Sequence, residues 1–451
     1  MKIVIIGAGI AGCTAYLELK KHLSRPTKSD GSHDITIYEA YNTNPSITPD
    51  ERIDEHTHSS TLLVGGGLGL APNGLNVLKR LDEELLKDVV RGGSSSDDNV
   101  NNGTNRSPYM LATSRHSLWA ALRGRIPEHH IIHKRITQVI ARSDERNLIH
   151  FADNSSPVEA DLVIGADGVR GIAKRALFPD AKEDPYPPNY EGLVGVGGFI
   201  PAADVKDLVE PGSMNFIFGG NGFFGYFFSE SAVSAANRDS PYHVSEPGDS
   251  LAWWSTYEIE ECPDRETLDM ADVTRQLRER HANWTEPVVQ KVIQSLQVKN
   301  MYPTWTLPPL PTWERDGVVL VGDAAHALPP SSGQGSSQAL EDVEAFALLL
   351  AHCLDMGDAH RDEVTPKAQK NAIKAAASQY VNLRQPHVNA ILEFAQKTQN
   401  SKREMGIFKE YAMYAVMKIM GFFPSFMRNK IRAVAEYNIA DNVTRVITND
   451  N

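Results

Sequence analysis

The segment Lys2-Ile3-Val4-Ile5-Ile6-Gly7-Ala8-Gly9-Ile10-Ala11-Gly12 constrains this chain more than any other. An apolar run that reads as a buried strand breaks on a G-x-G-x-x-G turn and passes into a helical pattern from Ile10 to about His22. Glycines at these positions tighten the turn, let backbone approach a pyrophosphate and let the helix pack closely on its sheet. The helix N-terminus then points at the phosphates. A polar loop over residues 24–34 leads to a second strand over 35–38, which ends at Glu39, where a carboxylate can accept hydrogen bonds from both ribose hydroxyls of an adenosine. Gly7, Gly9, Ala11, Gly12 and Glu39 are therefore the first candidate binding residues. Alone they suit NAD and FAD equally.

At 451 residues the chain exceeds what one core usually organises, so two or more units, interleaved in sequence, are expected. The composition, 41% hydrophobic and 23% charged, is that of a soluble globular protein. A net charge of -12 argues against a nucleic-acid partner, because such affinity rests on Lys and Arg neutralising phosphates. Cys13, Cys262 and Cys353 are odd in number and far apart, which fits neither a disulfide framework nor a zinc site and points to a reducing compartment. The first residues show no basic, apolar and cleavable leader in order, so a cytoplasmic location is expected, and the sequons at Asn102 and Asn283 read as chance matches.

Short alternating strands over 135–164 end in Leu162-Val163-Ile164 and a second glycine turn, which continues the nucleotide-binding unit. Residues 185–257 are rich in Gly, Phe, Tyr and Trp in strand-like runs and predict a separate antiparallel sheet. A helical stretch over 273–296 follows, then an apolar strand over 318–321 and a long helix over 335–353. The fold class expected is α/β: a Rossmann-like dinucleotide-binding domain in two parts (1–180 and 286–395), an inserted antiparallel-sheet domain (181–285) and C-terminal helices (396–451). Residues 91–107, almost purely Gly, Ser, Asp, Asn and Thr, read as a polar surface insertion. The tail over 404–446 has helical periodicity in Met405, Phe408, Met413, Val416, Met417, Met420, Phe422 and Phe423, broken by Lys409, Glu410 and Lys418. It carries too much charge to span a bilayer. Packing on the body of the protein is the expectation, and a membrane-surface or subunit contact the alternative.

Two further motifs decide between the nucleotides. They are Asp161-Leu-Val-Ile-Gly-Ala-Asp167-Gly168-Val-Arg170 and Gly322-Asp323-Ala-Ala-His326-Ala-Leu-Pro329-Pro330-Ser-Ser-Gly333-Gln-Gly335. With the first turn they stand in the order found in the group A flavoprotein monooxygenases, the family of para-hydroxybenzoate and salicylate hydroxylases. The chain resembles that family over roughly residues 1–395, its fungal secondary-metabolite members especially. The resemblance implies FAD as cofactor, NADPH or NADH as a transient reductant and O2 as co-substrate. A flavin C4a-hydroperoxide would hydroxylate or epoxidise an aromatic or conjugated polycyclic small molecule.

It further implies that Asp167 and Gly168 hold the pyrophosphate region, that Asp323 binds the ribityl chain and that Gly333 and Gly335 present backbone N–H groups and a positive helix end to the flavin. Arg115, in Ser114-Arg-His-Ser-Leu-Trp, matches the family's arginine that meets the cofactor from the start of a helix. The stretch from Gly65 to Gly74, with Pro72 at a helix start, matches its flavin-lining strand and turn. Pro329 would face the ring. No residue is assigned as a catalytic acid or base: His326 belongs to the cofactor-binding strand end, and the flavin itself activates oxygen. No HExxH, GxSxG or His/Cys cluster points to metal or serine-nucleophile chemistry. The substrate wall is expected on the aromatic sheet, with Tyr190, Phe216, Phe224, Tyr226, Trp253 and Trp254 as candidates, although alternation sends about half of such residues away from any cavity. A flavin oxidoreductase of related fold without oxygen insertion and a non-catalytic FAD-binding protein are the alternatives.

Overall fold

A computed structural model describes residues 1–23, 33–41, 67–96, 110–264, 267–358, 365–399, 406–422 and 434–449. The polar loop after the first helix and the tail residues Met405 and Phe423 lie outside these, as does most of the 91–107 stretch. Of that stretch, Gly93–Ser96 is a strand paired with Met110–Ser114, because its small side chains tolerate close pairing where a coil was expected.

A six-stranded sheet carries the nucleotide motifs. Lys2–Ile6 sits inside it, parallel to Leu162–Gly165 on one side and Asp34–Glu39 on the other. Val318–Leu320 extends it beyond Leu162–Gly165, and Ile131–His133 beyond Asp34–Glu39. Ile3, Val4, Ile5, Leu162, Val163 and Val318 are fully buried, the continuous apolar signature of strands covered on both faces. Each such side chain contributes about 1.5–3 kcal/mol by leaving water. The helix Gly335–Asp358 packs against Ile10–His22, Pro72–Leu81, Pro366–Gln399 and Ile439–Asn449, so the third motif opens the element around which this unit is assembled.

The second large sheet is antiparallel, in the order Met214–Gly219, Gly222–Phe228, Ser250–Glu258, Asn189–Pro201, Met301–Thr306. Met301–Thr306 pairs with Asn189–Pro201, so the sheet takes one strand from beyond the boundary drawn at residue 285. The expected single helical stretch is two helices, Met270–His281 and Pro287–Ser295, parted where Pro287 takes the first helical position of the second. Both cover one face of this sheet, against Phe224, Tyr226, Phe228, Trp253 and Tyr257. The opposite face meets the nucleotide-binding unit: a side chain on Gly67 would strike the Phe227 ring at 2.5 Å, and Met214 lies against Gly69.

Candidate FAD site

The first turn is shaped by two kinds of glycine. Gly7 has φ +98°, and an added Cβ would stand 2.6 Å from the Ala166 carbonyl oxygen. At Gly12 it would stand 1.9 Å from the Gly7 carbonyl oxygen. Those two are glycine because protein backbone occupies the space. Among the described residues, a Cβ on Gly9 would meet nothing within 4 Å. Gly9 caps the Ile10–His22 helix with no side-chain cap and no acid in the first turn, so N–H groups and the positive helix end face open space.

Glu39 aims across this turn. Its Oε2 accepts from the Ala8 N–H at 2.6 Å and its Oε1 from the Tyr41 N–H at 3.0 Å, which fixes the carboxylate while leaving lone pairs for further donors. The Trp119 indole N–H donates to the Ala8 carbonyl at 2.8 Å and locks the same residue from the other side. Motif reading missed Trp119, since only its indole in three dimensions reveals the contact. Arg115, half-buried, opens the helix Arg115–Arg123, where the Ser114 hydroxyl caps the Ser117 N–H.

Asp167 follows the strand Leu162–Gly165. Its Oδ2 accepts from the Ala173 N–H at 2.9 Å, while Oδ1 is shut off from solvent with no hydrogen-bond partner among the described residues, although the residue as a whole keeps some exposed surface. Burial lifts this carboxyl to about 6, against the opposing pull of the Ala173 and Ile172 N–H groups. Gly171 leaves room for it, because a Cβ there would lie 2.2 Å from Oδ1. Gly168, at φ +77°, has nothing within 4 Å of its Cβ direction.

The third motif places Asp323 exposed at the start of the short helix Asp323–His326, after Gly322 at φ +58°. Pro329 is buried and Pro330 exposed. Gly333 has φ +60°, and neither it nor Gly335 would meet anything within 4 Å with a Cβ. Beneath this loop lies a buried polar network that motif reading did not find. Asn73 donates to Gln334 Oε1 at 3.1 Å and Glu341 Oε1 at 2.8 Å. Arg384, fully buried, donates to Glu341 Oε2 at 2.6 Å, Asp342 Oδ1 at 2.9 Å and Gln338 Oε1 at 2.6 Å. Asp342 Oδ2 receives the Gly322 N–H at 3.0 Å and meets His326 Nε2 at 2.5 Å. Burial alone would raise Asp342, but His326 and Arg384 hold it below the usual carboxylate range. Burial raises Glu341 to about 7 despite Arg384. His326 is thereby an anchor of the loop, buried with its Nε2 on Asp342. The adjacent acids Glu341-Asp342 on a buried helix were the available sequence signal, since buried carboxylates call for a partner.

Of the aromatic candidates, Phe224, Tyr226 and Trp253 leave the substrate wall, because their parity in the strands turns them into the layer under the two helices. Tyr226 donates to Glu286 Oε1 at 3.0 Å there. Tyr190 binds the Ile259 carbonyl at 2.8 Å, at the other edge of the sheet beside Trp305. Phe216 and Trp254 do lie on the face turned to the nucleotide-binding unit, joined by Phe218, Phe223 and Phe227 into a strip of rings with centroids 5.0–6.0 Å apart. A Cβ on Gly225 would strike the Trp254 indole at 2.4 Å, so the ring lies across that glycine.

Residues 141–376, more than half of the chain, match the family model of the FAD binding domain. The chain belongs to that family. FAD is accordingly its cofactor, and the open glycines at 9, 333 and 335 with the orphaned Asp167 oxygen fit such a group. The family member 3-amino-4-hydroxybenzoate 2-monooxygenase of Streptomyces cremeus is 26% identical, across 86% of this chain and 84% of that one. The 6-hydroxynicotinate 3-monooxygenase of Pseudomonas fluorescens is 28% identical over 48% of this chain, and that match spans only half of the relative's length. A salicylate hydroxylase solved with substrate superposes with a TM-score of 0.66 at 16% identity, covering 98% of this chain and 97% of that one. The chain thus stands among FAD-dependent monooxygenases and shares their fold.

Proposed function

We propose that this protein is a single-component monooxygenase that uses NAD(P)H and O2 to hydroxylate an aromatic or conjugated polycyclic small molecule. The observation that carries this reading is the aromatic strip Phe216–Phe218–Phe223–Trp254–Phe227, turned toward the nucleotide-binding unit of an FAD-family chain. Rings 5–6 Å apart offer stacking surface and exclude water, which suits a flat apolar substrate better than a charged one. When bound, FAD supplies the redox and oxygen chemistry.

The chain's own part is binding, orientation and charge. The Gly9 turn and the N-terminus of the Ile10–His22 helix receive the pyrophosphate, and Glu39 takes the adenosine ribose hydroxyls. Asp167 and Arg115 are assigned to the same cofactor, and Asp323 to the hydroxyls of the ribityl chain. The N–H groups and positive helix end at Gly335 offset negative charge gathered on the ring, while the network around Arg384 holds that loop still. Pro329 supplies a rigid wall. No side chain is needed as a general base, and His326 lies buried beneath the loop with its Nε2 on Asp342.

The test is the visible spectrum of the purified protein, followed by anaerobic NADPH or NADH and then air, over a panel of phenolic, indolic and larger conjugated compounds. The expected result is flavin absorption near ~450 nm that bleaches faster with one compound and returns in air with one labelled oxygen atom in the product. Reduction without oxygen transfer to any compound would overturn the monooxygenase reading, and a protein that takes up no FAD would overturn the site.

A further inference from the structure

The helix Ile407–Gly421 is tied to the protein by two polar side chains: Glu410 Oε1 accepts from the Gly220 N–H at 2.9 Å, and the Tyr414 hydroxyl, which donates to Glu410 at 2.6 Å, lies 3.2 Å from the Phe218 carbonyl. These contacts clamp it onto the tip of the hairpin between Met214–Gly219 and Gly222–Phe228, beside a cavity of about 850 Å³ remote from the nucleotide motifs. The opposite side is apolar and open to solvent. Phe408, Tyr411, Ala415 and Ile419 fall within about 80° of arc at 3.6 residues per turn, and Phe422 follows in the turn that ends the helix. Phe408 is 94% exposed, Phe422 71%, Tyr411 69% and Ile419 57%. The periodicity of this segment predicts packing on the body of the protein, with a membrane-surface or subunit contact as the alternative. The structure packs the side that carries Glu410, Met413 and Tyr414 and leaves the Phe408 side open, so that apolar stripe requires another cover.

Charge identifies that cover. Residues 402–432 hold seven basic side chains (Lys402, Arg403, Lys409, Lys418, Arg428, Lys430 and Arg432) against two acids, Glu404 and Glu410, in a chain whose net charge is -12. Lys409 and Lys418 flank the stripe on either side, where ammonium groups reach the headgroup level while the stem follows apolar surface. A symmetric second copy would bring each basic flank against its own kind, and a net-acidic chain would keep such a local excess at a repulsive interface. An anionic bilayer supplies both an apolar layer for the stripe and countercharge for its flanks. Phe408, Tyr411 and Phe422 are the ring types that settle at such boundaries. No helix among the described residues is long and apolar enough to cross a membrane, so the segment lies on the surface.

We propose that the Ile407–Gly421 helix seats this protein on an anionic lipid surface, with the Phe408–Tyr411–Ile419–Phe422 stripe entering the headgroup boundary. The test is flotation of the FAD-loaded full chain with phosphatidylcholine vesicles, with and without about a third of phosphatidylserine. Binding is expected to be at least tenfold tighter to the anionic vesicles and to weaken as salt rises. The substitutions Phe408→Ser, Ile419→Ser and Phe422→Ser together should abolish flotation with FAD content unchanged. Each of Lys409→Gln and Lys418→Gln should weaken it about fivefold. Three results would overturn the proposal: no flotation with either vesicle, flotation unaffected by the triple substitution, or a salt-stable dimer that the triple substitution dissolves.

Discussion

Replacing Asp167 with Asn should make the FAD-free protein more stable and the site worse. The carboxyl stands at about 6 in the folded protein against 3.8 for an unperturbed aspartate, because burial disfavours its ionised form and Oδ1 has no donor. A group whose folded pKa is raised contributes its full stability below the unfolded value and loses it as pH rises through the folded one. Two units correspond to about 3 kcal/mol at ~1.4 kcal/mol per unit. An amide does not titrate and can still accept the Ala173 N–H, so the variant's advantage should be near zero at pH 4, grow through pH 6 and level off at about 3 kcal/mol by pH 8. Urea unfolding of apoprotein at pH 5 and pH 8, followed by tryptophan fluorescence, reads this as a gap that widens by about 1–2 kcal/mol between the two. FAD retention, measured alongside, should fall tenfold or more, since a buried carboxylate that weakens the empty fold earns its place through the ligand. A variant no more stable than the parent at pH 8, or equally more stable at both pH values, would refute the reasoning, since a pH-independent gain comes from packing.

The two kinds of glycine in the first turn separate fold from ligand. Gly9→Ala should leave the unfolding midpoint of the apoprotein within about 0.5 kcal/mol of the parent while weakening FAD tenfold or more, because its Cβ enters only the open space before the helix. Gly12→Ala should unfold the apoprotein readily whether or not FAD is added, because its Cβ collides with the Gly7 carbonyl. Both are read by denaturant titration with flavin fluorescence. Arg384→Met should cost about 3–5 kcal/mol, since it leaves Glu341 and Asp342 as buried acids without their cation. Adding Glu341→Gln and Asp342→Asn to that variant should restore much of the loss in the same titration.

What the sequence disclosed about this protein divides by the range of the interaction involved. The strand Lys2–Ile6, the helix Ile10–His22 and the glycine turn between them follow from residues adjacent in the chain, and the structure reproduces those bounds. The positive-φ glycines at 322 and 333 and the proline that starts Pro72–Leu81 are local in the same way. The aromatic sheet was legible as a sheet, but which of its rings face the nucleotide unit was not. That depends on a register in which Phe223 pairs with Thr256 and Phe227 with Ala252, and a shift of one residue would exchange the two faces. Trp119 and Arg384 were invisible for a different reason. Their partners, Ala8 and Glu341-Asp342, lie 111 and about 40 positions away, and nothing local in a tryptophan or an arginine tells a buried anchor from a surface side chain.

The buried network also resolves an electrostatic conflict within the third motif. The helix Gly335–Asp358 offers its positive end to a ligand, yet Glu341 and Asp342 lie in its second turn, about 10 Å from that end at 1.5 Å per residue. Two unpaired carboxylates at that distance, in a medium far less polarisable than water, would cancel much of the half charge that the helix end supplies. Arg384 removes one negative charge. Burial lifts Glu341 to about 7, so near neutrality it carries only part of the other, and Asp342 is hydrogen-bonded to His326. The acids therefore brace the loop through Asn73, Gln338 and the Gly322 N–H without opposing the charge that the loop presents. A hydrophobic helix core would leave the potential alone but would supply no acceptor for the Gly322 N–H, which the left-handed turn at that residue directs inward, and Asp342 answers that need.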